Sequence, residues 1–339
     1  MNFSLRGGRL PLYMVILACL LTGIFTYAIS SQIKKPETPV PPKIAESAPF
    51  KQNRLKDYKF VQPIIFSETP SSPEKFSSLL NNIKEIISKH KAIDQPSVTS
   101  VYIRDLNTAT WCSLNEQERF DAGSIFKLPI LIALLKKAEK DPQFLNRTAT
   151  FNKPTQKDYY QTITSATLKK GESYSVKELI KYMIVDSDNE ANLLLYNFLD
   201  QETILKVFAD LEMIAPDPHQ KTATMNCSEV SKFLRVLYNS GYTNPVLSEF
   251  SMQLLSESTF TEGMKKGVPE NALLVHKFGE RGYPNSTYQE LSETGIIYIN
   301  NERVLLTVMT KGNNQQQQAQ LIADITKSTC DWIVKSTTN

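Results

Sequence analysis

Apolar residues recur at helical spacing just after Ser72-Pro73, where Phe76, Leu79, Leu80, Ile83, Ile86 and Ile87 make one face. A serine followed by proline at the first helical position predicts that a helix begins there. The period then drops to two. Thr99, Val101 and Ile103 alternate within residues 97–104, Asp105 to Thr108 turns the chain, and residues 109–114 return, which predicts a hairpin. Helical spacing resumes over 124–138 through Leu128, Ile130, Leu131, Ile132, Leu134 and Leu135, with Pro129 expected to remove one backbone bond and bend the helix. Ser175-Val176-Lys177-Glu178 has the form of a capping box and opens a helix that turns Val176, Leu179, Ile180, Met183 and Ile184 inward. Further helices are predicted over 191–199, 204–211 and 230–238. Strand-like runs follow at 273–278, 295–299 and 304–310, the last two joined by Asn300-Asn301-Glu302, and a final helix is predicted over 315–334. For the early hairpin and the late strands to share one sheet, the helical block must be an insertion with a lobe of its own. The pattern is therefore that of a two-lobed α+β fold, the helical lobe spanning about 124–265, with a site expected in the cleft between lobes.

The N-terminal part reads differently. Residues 10–29 carry no charge and are long enough to cross a bilayer as a helix. Arg6 and Arg9 precede them, as expected for a cytoplasmic segment over 1–9. A retained single-pass anchor is the expectation, with a cleaved signal peptide processed near Thr26-Tyr27-Ala28 as its rival. Residues 30–71 hold Pro36, Pro39, Pro41, Pro42 and Pro49 among charged residues and read as an extended linker. The folded domain then covers 72–339, on the extracytoplasmic side of the membrane.

Composition narrows the function classes. With 339 residues and 41% apolar content, the chain can bury one large core or two modest ones. A net charge of +3 with scattered basic residues speaks against a nucleic-acid partner. His90, His219 and His276 are far apart and lack metal-ligand spacing, so neither a metal nor a cofactor is expected. Cys19 lies in the apolar N-terminal run, and Cys112, Cys227 and Cys330 give no disulfide framework; each reads as a small core residue.

The candidate chemistry starts at Asp121-Ala122-Gly123-Ser124-Ile125-Phe126-Lys127. Residues three apart share a helix face, so Ser124 and Lys127 are expected to be neighbours. A hydroxyl attacks well only when a nearby base takes its proton, and a lysine serves as that base only if burial or neighbouring charge lowers its pKa. The spacing alone is weak, since Ser31, Ser72 and Ser88 also have lysine at +3 and an ordinary helix cap explains Ser124 as well. Two further features follow in order: Ser187-Asp188-Asn189 directly after a helix, and Lys277-Phe278-Gly279 on a predicted strand.

These three together resemble the class A β-lactamases and the wider group of penicillin-recognising serine hydrolases. Further likeness lies in Glu118-Arg119-Phe120, in Asn189 to Leu195, and in Thr294 to Tyr298 followed by Val304 to Thr310. The resemblance runs from about residue 72 to the C-terminus. It implies an antiparallel sheet with flanking helices, Ser124 as nucleophile, Lys127 as proton acceptor and Ser187 as proton relay to the leaving nitrogen. It also implies that Asn189 bonds the substrate or holds Lys127, that Lys277 steers a substrate carboxylate beside Gly279, and that the oxyanion hole is the backbone N–H of Ser124 and Arg281. Tyr159 or Tyr160, in the stretch between the first two motifs, is a candidate for the cleft mouth, with simple packing as the commoner role of a loop aromatic.

Two departures bear on substrate and rate. Phe278 stands where the family has Ser or Thr, whose hydroxyl bonds a substrate carboxylate. The family loop with Glu, two residues, Leu-Asn, whose glutamate activates the deacylating water, is absent between Leu211 and Thr224; Glu212 is the only glutamate there and lies in the wrong context. The expected function is a membrane-anchored, monomeric serine hydrolase that forms an acyl-enzyme through Ser124 and hydrolyses β-lactams. The alternatives are a penicillin-binding-protein-like peptidase or transpeptidase acting on peptidoglycan, and a non-catalytic module that binds envelope components.

Overall fold

The computed structural model describes residues 51–56, 62–93, 97–153, 168–216, 223–283 and 285–338. Its centre is a five-stranded antiparallel sheet. The strands are β3 (Val98–Asp105), β4 (Trp111–Leu114), β9 (Leu273–Gly282), β10 (Gln289–Ile299) and β11 (Glu302–Gly312), in the spatial order β4-β3-β11-β10-β9. The hairpin at one end of the sequence and the three strands at the other thus share one sheet, as the alternation predicts. The β10–β11 connection is two residues, with Asn300 and Asn301 both at positive φ (49° and 65°), which suits the twist of a tight hairpin.

Each face of the sheet is covered by helices, because both faces carry apolar side chains. On one face α1 (Ser77–Lys91) and α9 (Gln315–Thr338) enclose Phe76, Leu79, Ile83, Ile322 and Ile325 against Val101, Ile103, Leu306, Val308 and Phe278. On the other lie the helices that the chain inserts between β4 and β9. These are α2 (Lys127–Lys140), α3 (Val176–Val185), α4 (Asn189–Tyr196), α5 (Gln201–Asp210), α6 (Cys227–Tyr238), α7 (Pro245–Ser256) and the single turn α8 (Met264–Gly267). Their core runs through Leu131, Leu134, Ile180, Ile184, Phe208, Phe233 and Leu237. Short antiparallel pairs complete the insertion: β5 (Phe120–Asp121) with β8 (Thr224–Met225), and β6 (Thr148–Thr150) with β7 (Ser173–Ser175).

Several starts follow from capping chemistry. The Ser175 side chain accepts from Glu178 N and the Glu178 side chain from Ser175 N, the reciprocal box that the sequence spells out. Asn226 and Glu229 do the same for α6, and Asn244 followed by Pro245 opens α7. By contrast, Ser72-Pro73 does not open α1: a turn over 73–76 intervenes, and Phe76 precedes the helix without a side-chain cap. Pro129 falls in the first turn of α2, where a proline is tolerated best, so the expected loss and bend in the helix interior do not apply.

The linker expected over 30–71 requires a correction. Its later part forms an antiparallel pair, β1 (Lys51–Arg54) and β2 (Ile64–Glu68), with Leu55, Ile65 and Phe66 buried. Two arginines that are 2–3% exposed secure it: Arg235 from α6 donates to Glu68 Oε1 at 2.8 Å and to Ser67 O at 3.1 Å, and Arg104 from β3 donates to Ser67 O at 3.0 Å. The proline-rich composition hid a short strand pair whose partners are far away in sequence. Cys112, Cys227 and Cys330 are buried and unpaired, as small core residues. Among the described residues no helix is long and apolar enough to cross a membrane; the expected anchor at 10–29 and Tyr159 and Tyr160 lie outside them.

Candidate active site

Ser124 sits in a 3-10 turn (Gly123–Phe126) that leads straight into α2. In that tighter helix residues i and i+3 eclipse each other, so Ser124 and Lys127 stand on the same side, a closer relation than an α-helix would give. Asp121 shapes the entry: its Oδ1 accepts the Gly123 N–H at 2.9 Å, an Asx-turn, and Gly123 takes φ +49°. The edge strand β9 lies directly against this turn. A Cβ on Gly123 would meet Glu280 O at 2.4 Å, and one on Gly279 would meet Ala122 O at 2.4 Å and Ile125 N at 2.7 Å. Both positions therefore need glycine because backbone packs on backbone.

Lys127 is 3% exposed. Its Nζ donates to Ser187 O, to Ser187 Oγ at 3.2 Å and to Asn189 Oδ1 at 2.7 Å. Those are the three donors an ammonium has, and no hydrogen bond to Ser124 Oγ is formed among the described residues. Of the two roles expected for Asn189, this geometry supports holding Lys127. Ser187 occupies the corner between α3 and α4 at φ +54°, a conformation costly for a residue with a Cβ, and it is fully buried. Asp188 caps α4 by accepting the Ala191 N–H at 2.7 Å, which fixes that corner. Lys277, on β9 and fully buried, donates to the same Ser187 Oγ at 2.9 Å and to Phe278 O at 3.1 Å.

Two buried ammonium groups on one hydroxyl have an electrostatic consequence. Burial pulls the Lys127 pKa down to about 7, against the opposing pull of Asp188 and Glu280. Lys277 is held well below its ordinary value, by burial first and then by the charge of Lys127. An amine near 7 is half neutral at neutral pH, the condition for accepting a proton from a serine.

Ser124, Lys127, Ser187, Asn189, Lys277 and Gly279 thus converge as the sequence order implies. Arg281 does not take the expected place. Along a strand, a residue's N–H and C=O point to the same side and neighbours alternate. Glu280 O and N both lie against Gly123, so Glu280, not Arg281, turns its backbone toward the Ser124 turn. Arg281 instead sits opposite Glu290 in the β9–β10 register, with its Nε 3.4 Å from Asp121 Oδ2. Phe278 stacks on Phe260, ring centroids 4.2 Å apart, inside the core beneath α9. Glu212 forms an ion pair with Lys51 of the N-terminal strand pair.

A second buried layer has no local signature along the chain. His276 donates from Nδ1 to Glu293, whose other oxygen accepts the Met264 N–H at 2.8 Å; both side chains are at most 2% exposed. Asp121, by contrast, was detectable, since an aspartate two residues before a glycine is an Asx-turn signal. Among the described residues no cluster of His, Cys, Asp and Glu is arranged to hold a metal ion.

Comparison with known proteins agrees with this geometry. The model of the beta-lactamase enzyme family matches residues 78–333. Beta-lactamase VEB-1 of Pseudomonas aeruginosa is 21% identical over 255 residues, covering 68% of this chain and 84% of that protein. PBP-A, as a point mutant in an acyl-enzyme complex with penicillin G, superposes with a TM-score of 0.63 at 18% identity, over 76% of this chain and 97% of that chain. A beta-lactamase from Chitinophaga pinensis does so with a TM-score of 0.64 at 18% identity, over 75% and 98%.

Proposed function

This chain belongs to the beta-lactamase enzyme family and is a serine hydrolase of that type, and we propose that Ser124 attacks the carbonyl of a β-lactam to form an acyl-enzyme that water then cleaves. The observation that carries the proposal is the convergence of Lys127 and Lys277 on Ser187 Oγ beside the Ser124 turn. Neutral Lys127 accepts the Ser124 proton, and Ser187, bonded to both lysines, passes a proton to the departing nitrogen. The N–H groups of Ser124 and Glu280 face the developing oxyanion, where fixed donors act most strongly. The uncharged run at 10–29 would tether this domain to a membrane, with the site on the extracytoplasmic side.

One observation favours a second reading, a penicillin-binding-protein-like peptidase that acylates readily and hydrolyses slowly. Glu212, the only glutamate between Leu211 and Thr224, is held by Lys51. Loss of a general base typically costs about two to four orders of magnitude.

Turnover of a chromogenic cephalosporin tests both readings. Steady hydrolysis that disappears in Ser124→Ala supports the first, a single stoichiometric burst supports the second, and equal activity of wild type and variant overturns both.

A further inference from the structure

Alternation along β9 puts Lys277, Gly279 and Arg281 on one face, and the strand register sets Thr294, Ser292 and Glu290 of β10 beside them in that order. The nucleophile turn is seated over the smallest of these pairs, Gly279 with Ser292, since a Cβ on Gly279 would meet Ala122 O and Ile125 N. Lys277 stands on one side of this seat and the Arg281–Glu290 pair on the other. Backbone contact at Gly123 and Gly279 limits how near the turn comes to β9, but repulsive contact does not hold it there.

Glu290 supplies the attractive half. Its side chain is buried, Oε2 accepts the Asp121 N–H at 2.7 Å, and Oε1 accepts the Tyr283 hydroxyl at 2.9 Å. Tyr283 follows β9 directly, so its hydroxyl reaches across the β9–β10 hairpin and fixes the direction in which the carboxylate points. A carboxylate accepting a backbone N–H makes a stronger bond than a neutral acceptor does. The next N–H, that of Ala122, turns away to Ala223 O at 2.9 Å. Asp121 itself accepts the Gly123 N–H through Oδ1 and has Oδ2 3.4 Å from Arg281 Nε. The chain is therefore gripped from two sides at the step where it enters the 3-10 turn, three residues before Ser124.

We infer that Glu290 is a positioning residue for acylation: its carboxylate, oriented by the Tyr283 hydroxyl, holds the Asp121 N–H and so keeps the Ser124 hydroxyl and N–H in place against β9. The inference rests on the acyl-enzyme reading above. Glu290 acts through Asp121, so its effect is on geometry, and a shift of about 1 Å at reacting atoms costs about 100-fold in rate. The Ser124 hydroxyl and N–H are used in the transition state, so their displacement lowers the acylation rate constant and leaves the affinity of the first complex nearly unchanged.

Single-turnover acylation by a chromogenic cephalosporin, expressed per folded site, separates that rate constant from the dissociation constant of the first complex. Glu290→Leu should lower the rate constant about 10- to 100-fold with little change in the dissociation constant. Tyr283→Phe, a milder change that keeps the test open should Glu290→Leu not fold, should lower it about two- to tenfold. Glu290→Gln should recover most of the loss, because its amide oxygen can accept the Asp121 N–H while its NH2 donates to the Tyr283 oxygen. Rate constants unchanged in Tyr283→Phe and in folded Glu290→Leu overturn the inference while leaving the acyl-enzyme reading intact. So does a loss confined to the dissociation constant, or one as large in Glu290→Gln as in Glu290→Leu. Absence of any Ser124 adduct in wild type overturns the reading and this inference with it.

Discussion

The Lys277 ammonium lies 2.9 Å from Ser187 Oγ, the same oxygen that Lys127 approaches at 3.2 Å. A hydroxyl between two buried amines can take a proton from one side and give one to the other, which is the relay proposed for Ser187. Ser187→Ala should lower the acylation rate by about two to four orders of magnitude. Pre-steady-state acylation kinetics on the folded variant measure this directly.

Acylation should depend on pH through Lys127. In the proposed mechanism its neutral form is the base, and burial lowers its pKa to about 7. The rate should therefore rise as pH climbs through about 7 and level off above it, with no matching rise in Lys127→Met.

The same lysine links stability to pH. Between about 7 in the folded state and the ordinary 10.5, the unfolded chain binds the extra proton, so this group adds stability as pH rises across that window. Below about 7 its contribution is at its lowest and no longer changes. Lys127→Met lacks this dependence, so the stability of the variant relative to wild type should decline from pH 7 to pH 10. Thermal melting of both proteins across that range measures the trend, with a slope of at most about 1.4 kcal/mol per pH unit.

Gly279→Ala should displace β9 from the nucleophile turn. The added carbon would meet Ala122 O at 2.4 Å and Ile125 N at 2.7 Å, both backbone atoms that cannot swing aside. A loss of about 2–4 kcal/mol is expected together with strongly reduced acylation. Denaturant unfolding and acylation rates check the two effects separately.

A chain beginning at residue 72 should be markedly less stable than one beginning before Lys51. Removing β1 and β2 exposes Ile65 and Phe66 contacts and leaves Arg235 and Arg104 without Glu68 and Ser67. The arginines are buried although Glu68 is 32% exposed; leaving a buried charge without its partner costs up to about 3–5 kcal/mol, and Glu68→Ala alone should show part of that loss in denaturant unfolding.

That last case shows where sequence reasoning stops. The helices with capping boxes and the strand triplet were legible because their signals are local: Ser175 with Glu178, or the Asn300-Asn301 turn. So were Ser124, Lys127, Ser187 and Lys277, whose order along the chain carries the resemblance. The strand pair β1–β2 was not, because its stability comes from Arg235, more than 160 residues away. The strand residue whose backbone faces the Ser124 turn is Glu280 and not the expected Arg281, because neighbours along β9 turn their N–H to opposite sides. Nor did any local pattern announce that His276 and Glu293 would pair in the buried interior, because strand register, and not sequence distance, brings them together.

All of the proposed chemistry depends on Ser124 being the nucleophile. Incubation of wild type and Ser124→Ala with saturating penicillin, followed by intact mass and peptide mapping, tests it most directly. One adduct per chain is expected on the peptide carrying Ser124, and none in the variant. An unmodified Ser124 peptide in a wild type that also leaves the penicillin intact, or the same adduct in the variant, would overturn it.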